Sequence, residues 1–291
     1  MLIDLQLHSI YSDGYLSPKE LVSFIAKKGI KVASLTDHNT LEGLNEFKTA
    51  CFKHKIKPIN GLELYCKYKN KKINILWYNF NEENQELIKL LEESRRRRVF
   101  LVKRALLKLK RRGFKINEDI ISEFDNYIPI NRLSEKIMSN KFNYNKVLKI
   151  FKNKNNAVRV LREENIIGEL FFHKKDERLN ESYLDLERVV KVRKKAGGQL
   201  VFCHPGRYNK YANNITQKLK EAGMDGIEVL SPHHSIGSIM YAQFLAESFD
   251  LISTGGSDFH RFEENSKYVR SSSDWFIIDS KKLRRINEII G

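Results

Sequence analysis

Long hydrophobic runs are absent from this 291-residue sequence. No apolar stretch approaches the roughly 18 residues that a membrane-spanning helix needs, so no membrane association is expected. The first residues lack the basic segment and apolar stretch of a secretory signal, and they reach a carboxylate at Asp4. Internal repeats and low-complexity linkers are lacking too. We therefore expect a folded globular protein, in agreement with a hydrophobic content of 41%.

Cysteine is also scarce. The three cysteines, Cys51, Cys66 and Cys203, are odd in number and widely spaced. This pattern suits neither a disulfide framework nor a zinc knuckle. We expect free thiols in a reducing compartment, and hence a cytoplasmic location.

Acidic residues are outnumbered, with 36 Asp and Glu against 52 Lys and Arg, and the net charge is +16. Residues 91–180 hold 23 basic and 12 acidic residues, so 23 − 12 = 11 of the excess positive charges lie there. A local field of this kind attracts polyanions such as nucleic acid. A lysine-rich composition with a solvated helical surface gives the same count, so the sequence leaves both interpretations open.

Predicted strands and helices alternate in the two outer parts of the chain. The strand "LIDLQLHS" is followed by the helix "SPKELVSFIAKKG", which Ser17 and Pro18 would cap and start. Between about residues 84 and 185 the pattern becomes basic and helical, and strand–helix alternation then returns. We predict an α/β fold with a parallel sheet or barrel from residues 1–83 and 186–291, interrupted by a helical basic insertion at 84–185.

Six of the eight histidines follow apolar strand runs, together with several carboxylates. A single histidine after a strand is usually structural, but the carboxyl ends of parallel strands converge on one face, where sites are built. Mixed imidazole and carboxylate donors suit Mn²⁺, Fe²⁺ or Zn²⁺ in a multinuclear hydrolytic centre. The side chains at these strand ends are His8, Asp37, His38, Glu63, His204, His233, His234, Asp258 and His260.

These motifs resemble a known family. In chain order they read "DLQLHS", "SDG", "TDHN", "GLE", "CHPGRY", "IEVLSPHHS" and "GGSDFH". Together they are similar to the PHP (polymerase and histidinol phosphatase) superfamily, and most of all to its nucleoside 3′,5′-bisphosphate phosphatases, which also act as 5′→3′ exoribonucleases. The resemblance implies a distorted (β/α)7 TIM-like barrel with a helical insertion and one to three divalent metal ions. Manganese is the first candidate, with Fe²⁺ or Zn²⁺ as alternatives.

The resemblance also implies a set of metal ligands. One metal would lie between Asp13, His38 and His260. The other two would share Glu63 and use the remaining family positions, which here hold Gln6, His8, Asn74, His204 and Asp258.

Two of these positions depart from the family, which has histidine where this chain has Gln6 and Asn74. An amide oxygen is a poorer ligand than imidazole for transition metals. The opening strand is therefore interpreted as a metal strand with one weakened ligand, and an ordinary strand with a polar face is the alternative.

Three further residues are candidates for the substrate. Arg207 and Arg132 could each bind a phosphate through charge-assisted hydrogen bonds, or be ordinary surface arginines. In the resemblance His234 lies near the scissile phosphate and, with Asp258, would be catalytic; a packed loop histidine is the alternative. The run Arg95–Arg98 could follow a nucleic-acid backbone or be a solvated helix face.

We interpret the chain as a metal-dependent phosphoesterase in which a metal-bound hydroxide attacks phosphorus in line. Its substrate would be a nucleoside 3′,5′-bisphosphate or the 5′ end of a short RNA. The alternative is a degenerate relative that binds nucleotide or RNA without hydrolysing it, and Gln6 and Asn74 motivate that alternative.

Overall fold

The computed structural model describes residues 1–69, 71–122, 124, 127–154, 163–172, 183–262 and 276–291. The chain forms two compact units, one from Met1–Leu91 with Tyr183–Gly291 and the other from Glu92–Ser182. A long helix, Gln85–Arg111, begins beside the predicted start of the insertion at residue 84 and runs through the first junction. Each unit has a hydrophobic core of its own. Parts of the predicted insertion, at 155–162 and 173–182, lie outside the described residues.

The first unit is built on one sheet. Its described strands are β1 (Leu2–Leu7), β2 (Val32–Leu35), β3 (Lys57–Tyr68), β4 (Lys71–Tyr78), β5 (Leu184–Asp185), β6 (Gln199–Phe202), β7 (Gly226–Leu230), β8 (Ile252–Gly255) and β9 (Ile278–Asp279). They follow the order β8-β7-β6-β4-β3-β2-β1-β9, and β5 pairs with β3.

The sheet nearly closes on itself where the end of β1 meets the segment after β8. Leu7 and Phe259 form a parallel bridge there, and the amide of His8 donates to the Phe259 carbonyl at 3.0 Å. Gly256 permits this approach, because a Cβ atom on it would lie only 2.5 Å from the Gln6 backbone nitrogen. The predicted fold class, a distorted α/β barrel, is confirmed.

Strand direction decides where the polar residues meet. β1, β2 and β3 are mutually parallel, as are β6, β7 and β8. β4 is antiparallel to both β3 and β6, so the two sets run in the same direction. The carboxyl ends of these strands therefore lie at one edge of the barrel, the edge on which barrel enzymes build their sites.

The described helices, in chain order, are α1 (Pro18–Lys27), α2 (Leu44–Lys53), α3 (Gln85–Arg111), α4 (Ile130–Met138), α5 (Lys141–Lys154), α6 (Glu163–Phe171), α7 (Leu186–Ala196), α8 (Ala212–Glu221), α9 (Ile236–Ser248) and α10 (Asn287–Ile290). α1 starts where the sequence predicts it. The Ser17 hydroxyl accepts from the Glu20 amide, the Glu20 carboxylate accepts from the Ser17 amide, and Pro18 is the first helical residue. Within the described part of the chain, no helix has the length and apolar character of a membrane span.

The second unit packs one face of α3 against shorter helices. Leu101, Val102, Ala105, Leu106 and Leu109 of α3 lie in its core. The same packing gives the arginines of the run Arg95–Arg98 in α3 different surroundings. Arg95, Arg96 and Arg97 are exposed, whereas Arg98 is buried and donates to the Ile128 carbonyl at 3.1 Å. Arg98 therefore holds the insertion together and does not belong to a solvated face.

Candidate metal centre

Imidazoles and carboxylates lie where the parallel strands of the first unit end. His8 follows β1, His204 follows β6, and Asp258 and His260 follow β8. Glu63 lies within β3 and forms a parallel bridge with His38, which follows β2. The geometry of the sheet thus gathers side chains that are up to about 250 residues apart in the sequence.

One group surrounds Asp13. The nearest carboxylate oxygen of Asp13 is 3.6 Å from His8 Nδ1, 3.4 Å from His38 Nε2 and 3.3 Å from His260 Nε2. One donor atom from each of these four residues lies within 4.8 Å of the others. Such a cluster of three imidazoles and one carboxylate is a donor set for a divalent transition metal.

Three more groups lie beside the first, and one of them shares His8 with it. Glu63 lies with Cys203 and His204 in one, and with His8 and Asp258 in another, while Asp258 and His204 also group with His233. Asp258 occupies the middle, with Oδ1 3.1 Å from His8 Nε2 and Oδ2 2.7 Å from His233 Nε2. The structure therefore brings the seven imidazole and carboxylate residues of the predicted ligand set together in one place, and His233 joins them.

Gln6 and Asn74 point into the same place, but they present N–H groups. Gln6 Nε2 donates to Glu63 Oε2 at 3.0 Å and lies 3.0 Å from His204 Nε2. Asn74 Nδ2 donates to the other Glu63 oxygen at 2.6 Å. In this arrangement two neutral amides satisfy the carboxylate, and Gln6 Oε1 makes no hydrogen bond to any described residue.

The protonation of the group around Asp13 fits a cation. Burial alone would raise the pKa of the Asp13 carboxyl, but His38 and His260 outweigh it and hold that pKa well below its usual range. The same balance, with His260, His233 and His8 as the neighbours, keeps the pKa of Asp258 low. The ring nitrogens of the fully buried His8 lie 3.1 to 3.6 Å from carboxylate oxygens of Asp258, Glu63 and Asp13, without the geometry of a hydrogen bond. Ionised carboxylates that face an imidazole outside hydrogen-bond geometry fit a metal ion between them.

The loop that carries Asp13 is fixed from below by Asp37. Its carboxylate accepts from the Ser9 amide at 2.7 Å, the Ser9 hydroxyl at 2.6 Å and the Ser12 hydroxyl at 2.6 Å. Gly14 closes the turn, because a Cβ atom there would lie 2.2 Å from the His8 carbonyl oxygen. Hydrogen bonds of this kind fix the orientation of metal-binding side chains.

Backbone strain marks two of the converging residues. His204 has φ +48° and Asp258 has φ +49°, a left-handed conformation that is uncommon outside glycine. The His204 amide donates to Glu228 Oε2 at 2.9 Å, and Glu228 is fully buried. Strain of this kind is found at functional sites, where the surrounding structure enforces it.

The sequence did not single out Glu228, which also accepts from Cys203 Sγ at 3.6 Å. The available signal was a carboxylate within the apolar strand "GIEVL", which would otherwise be costly to bury. Burial raises its pKa well above the usual value, which favours the protonated form. Glu228 thus supports the segment Cys203–His204 from inside the barrel.

His233 and His234 differ in their surroundings. His234 Nδ1 lies 2.7 Å from the Val229 carbonyl, and its Nε2 accepts from the Gly206 amide at 3.1 Å. Both ring nitrogens of His234 thus contact the backbone, as in the alternative of a packed loop histidine. The structure does not bring His234 to the donor groups around Asp13 and Asp258. The neighbouring His233, which the sequence placed at a strand end without assigning it a role, contacts Asp258 and Arg207 instead.

The two predicted phosphate-binding arginines lie in different units. Arg207 follows β6 in a 3₁₀ segment, and its Nη2 is 2.8 Å from His233 Nε2, at the edge of the cluster. Arg132 lies in α4 of the second unit, where its guanidinium is 5.9 Å from the centre of the Phe124 ring. A role for Arg132 at the cluster stays a prediction.

Comparison with known proteins gives consistent results. A family model described as PHP domain matches residues 4–250. A 5′-3′ exoribonuclease of Haemophilus influenzae is 27% identical over 88% of this chain and 89% of its own length. A 3′,5′-nucleoside bisphosphate phosphatase of Chromobacterium violaceum is 27% identical over 94% of this chain and 92% of its own length. Among solved structures, a protein of Bifidobacterium adolescentis superposes with a TM-score of 0.76 at 19% identity, covering 99% of this chain and 95% of its own, which shows a shared fold.

Proposed function

Because this chain belongs to the PHP domain family, we propose that it is a metal-dependent hydrolase of phosphate esters that acts on nucleoside 3′,5′-bisphosphates or on the 5′ ends of short RNA. The observation that carries the proposal is the convergence of Asp13 with His8, His38 and His260, a group that shares His8 with one of three further donor groups. The names of the relatives from Haemophilus and Chromobacterium support the nucleotide substrate.

The donor groups would hold the metal. Asp13, His8, His38 and His260 form one site, and Asp258 links it to Glu63 and His204. A divalent ion bound there, Mn²⁺ in the first place, would activate a water molecule and neutralise charge on the phosphate. The low pKa of Asp13 and Asp258 keeps both carboxylates ionised for this role.

Side chains at the edge of the cluster would orient the substrate. The Arg207 guanidinium is permanently charged and would bind a phosphate oxygen. It lies at the edge of the donor groups, 2.8 Å from the Nε2 atom of His233, which contacts Asp258. Asp258 accepts from His233 Nε2, so this imidazole would be positioned to hold or deliver a proton at that nitrogen. We therefore assign to His233 the role that the family resemblance implied for His234.

A cavity of about 340 Å³, lined from Pro205 onwards directly after His204, supports a nucleotide substrate. Its walls combine hydroxyl groups with apolar side chains, the usual lining of a site for a small organic ligand. The lining residues are Pro205, Gly206, Ala212, Ser235, Gly237, Ser238, Tyr241, Ala242 and Leu245.

The direct test is phosphate release from adenosine 3′,5′-bisphosphate by protein that has been stripped of metal and then supplied with Mn²⁺. We expect turnover that depends on added metal in the native protein and is abolished in Asp13→Asn. The same two proteins should be compared by elemental analysis, so that the loss of activity is traced to a loss of metal.

A second candidate function is binding without hydrolysis. The observation that favours it is the pair of amides on Glu63, which satisfy this carboxylate without a cation. Native protein that binds the bisphosphate but releases no phosphate at any Mn²⁺ concentration would establish this second function and exclude the first.

A further inference from the structure

The exposed face of α3 within the second unit carries an unusual combination of side chains. Viewed along the helix at 100° per residue, one stripe about 120° wide alternates cations with apolar groups. The half-buried Glu93 lies at its N-terminal end, and after it come Arg96, Arg97, Phe100, Lys103, Arg104, Leu107 and Arg111. We call the seven residues from Arg96 to Arg111 the α3 stripe.

The two apolar members are too exposed to serve the core. Phe100 is 60% exposed and Leu107 is 56% exposed, while the opposite face of the same helix is buried. The Arg104 guanidinium lies 5.8 Å from the centre of the Phe100 ring, so ring and cation form one surface. Exposed apolar side chains in such a setting indicate an interaction surface.

The charges of the stripe are largely uncompensated. Arg96 pairs with Glu92 at 3.3 Å in an exposed contact that is worth little. Among the described residues, Arg97, Lys103, Arg104 and Arg111 have no carboxylate partner. Five cations along about 22 Å of helix therefore face solvent together, and they repeat on either side of Phe100 and Leu107.

We propose that the α3 stripe binds single-stranded RNA, with its cations on the phosphates and the Phe100 ring stacked on a base. Cations that follow a backbone and exposed aromatic rings that stack on bases are the two elements of sequence-tolerant single-strand binding. A second copy of the chain fits the stripe less well, because it would bring ten like charges together. A lipid surface also fits less well, because only two apolar groups would enter it.

The choice of RNA as the partner rests on the proposed function, in which RNA is a substrate. The stripe would then bind the chain of a longer RNA. A mononucleotide is too short to use it, so hydrolysis of a nucleoside bisphosphate should not depend on the stripe.

The experiment measures binding of a labelled uridine decamer with phosphorothioate linkages, which resist hydrolysis, by fluorescence anisotropy. Phe100→Ala should weaken binding about 5- to 150-fold, the range for loss of one stacked base. Phe52→Ala is the matched control, because Phe52 is a 69% exposed phenylalanine on α2, and it should leave the Kd unchanged.

The charge arm uses the double variant Arg97→Gln/Arg104→Gln. For a single strand the slope of log K against log salt should fall in magnitude by about 1.4, or about 0.7 for each cation removed. The control Lys53→Gln/Lys218→Gln removes two exposed lysines from α2 and α8 and should leave the slope as it is. Circular dichroism spectra that match the native protein would show that each variant is folded.

Three results would overturn the proposal. One is equal effects of Phe100→Ala and Phe52→Ala on RNA binding. Another is a change of oligomeric state in Phe100→Ala, seen by sedimentation velocity, which would assign the stripe to contact between copies. The third is stripe-dependent binding to phosphatidylserine vesicles without stripe-dependent binding to RNA. Failure of the proposed function is separate, because it would appear as absence of bisphosphate hydrolysis in the native protein.

Discussion

The side-chain amide of Gln6 donates a hydrogen bond to Glu63, with Nε2 3.0 Å from Oε2. Asn74 donates to the other oxygen of the same carboxylate. Burial alone would raise the pKa of Glu63, but the surrounding imidazoles, His38 first among them, lower it below the usual range. Glu63 is thus an ionised carboxylate whose two oxygens both face N–H donors where the family resemblance places imidazoles.

Restoring imidazole at these two positions should raise metal affinity. In Gln6→His/Asn74→His the ring nitrogens can act as ligands, and imidazole is the stronger ligand for transition metals. We expect the variant to retain more Mn²⁺ than the native protein after dialysis, and to need less added Mn²⁺ for full activity. Elemental analysis measures the first effect directly.

The control for this prediction is Gln217→His, which adds a histidine at an exposed position on α8. It should leave metal content unchanged. Equal metal content in the double variant and the native protein would show that the two amides do not limit loading.

The neighbouring histidines 233 and 234 should respond differently to substitution. His233→Ala removes the imidazole beside Asp258 and Arg207, so we expect kcat/KM to fall by about 10²-fold or more, the range for loss of an acid–base group. His234→Ala instead leaves the Gly206 amide and the Val229 carbonyl without their partner, which should cost about 1–3 kcal/mol of stability. Steady-state kinetics and urea unfolding of both variants separate the two effects, and the reverse pattern would restore the role for His234.

Arg207 should govern substrate affinity. Removing a charge-assisted hydrogen bond to phosphate in Arg207→Ala should raise KM for adenosine 3′,5′-bisphosphate about 10- to 150-fold. Lys194→Ala, which removes an exposed cation from α7, is the control and should leave KM as it is. An unchanged KM in Arg207→Ala would identify Arg207 as a surface arginine.

The buried Asp4 should make stability depend on pH. Burial raises the pKa of its carboxyl from 3.8 to about 7. Between about pH 4 and pH 7 the folded protein then binds more protons at Asp4 than the unfolded chain does. The free energy of unfolding therefore falls as pH rises through this window. This decrease, which comes from ionising a buried carboxyl, is complete above about pH 7.

Asp4→Asn keeps an acceptor for the Ser257 amide, which lies 2.9 Å from the Asp4 carboxylate, and it removes the titration. We expect the variant to match the native protein near pH 4 and to exceed its stability by up to about 4 kcal/mol at pH 8. Urea unfolding of metal-free protein at several pH values checks this. Asp37→Asn is the contrasting control, since it replaces one of the two oxygens that accept three short hydrogen bonds and should destabilise at every pH.

The sequence by itself determined secondary-structure elements such as β1 and α1, and the types of side chain available to bind a metal. Alternating apolar residues set β1, the capping box at Ser17 and Glu20 set the start of α1, and both signals are local in the chain. The imidazoles and carboxylates after the strands predicted convergence, because parallel strands end at one edge of a barrel. Motif order was enough to indicate the family.

Only the tertiary structure decided which side chains face that edge. Two adjacent histidines look equivalent in sequence, yet the loop after β7 turns His233 towards Asp258 and His234 towards the backbone of Gly206. One arginine of a continuous run became buried because α3 packs with a 3.6-residue period against the loop at Ile128. Glu228 became a support for His204 because β6 and β7 are neighbours in the sheet. These outcomes depend on contacts between distant segments, which local pattern does not encode.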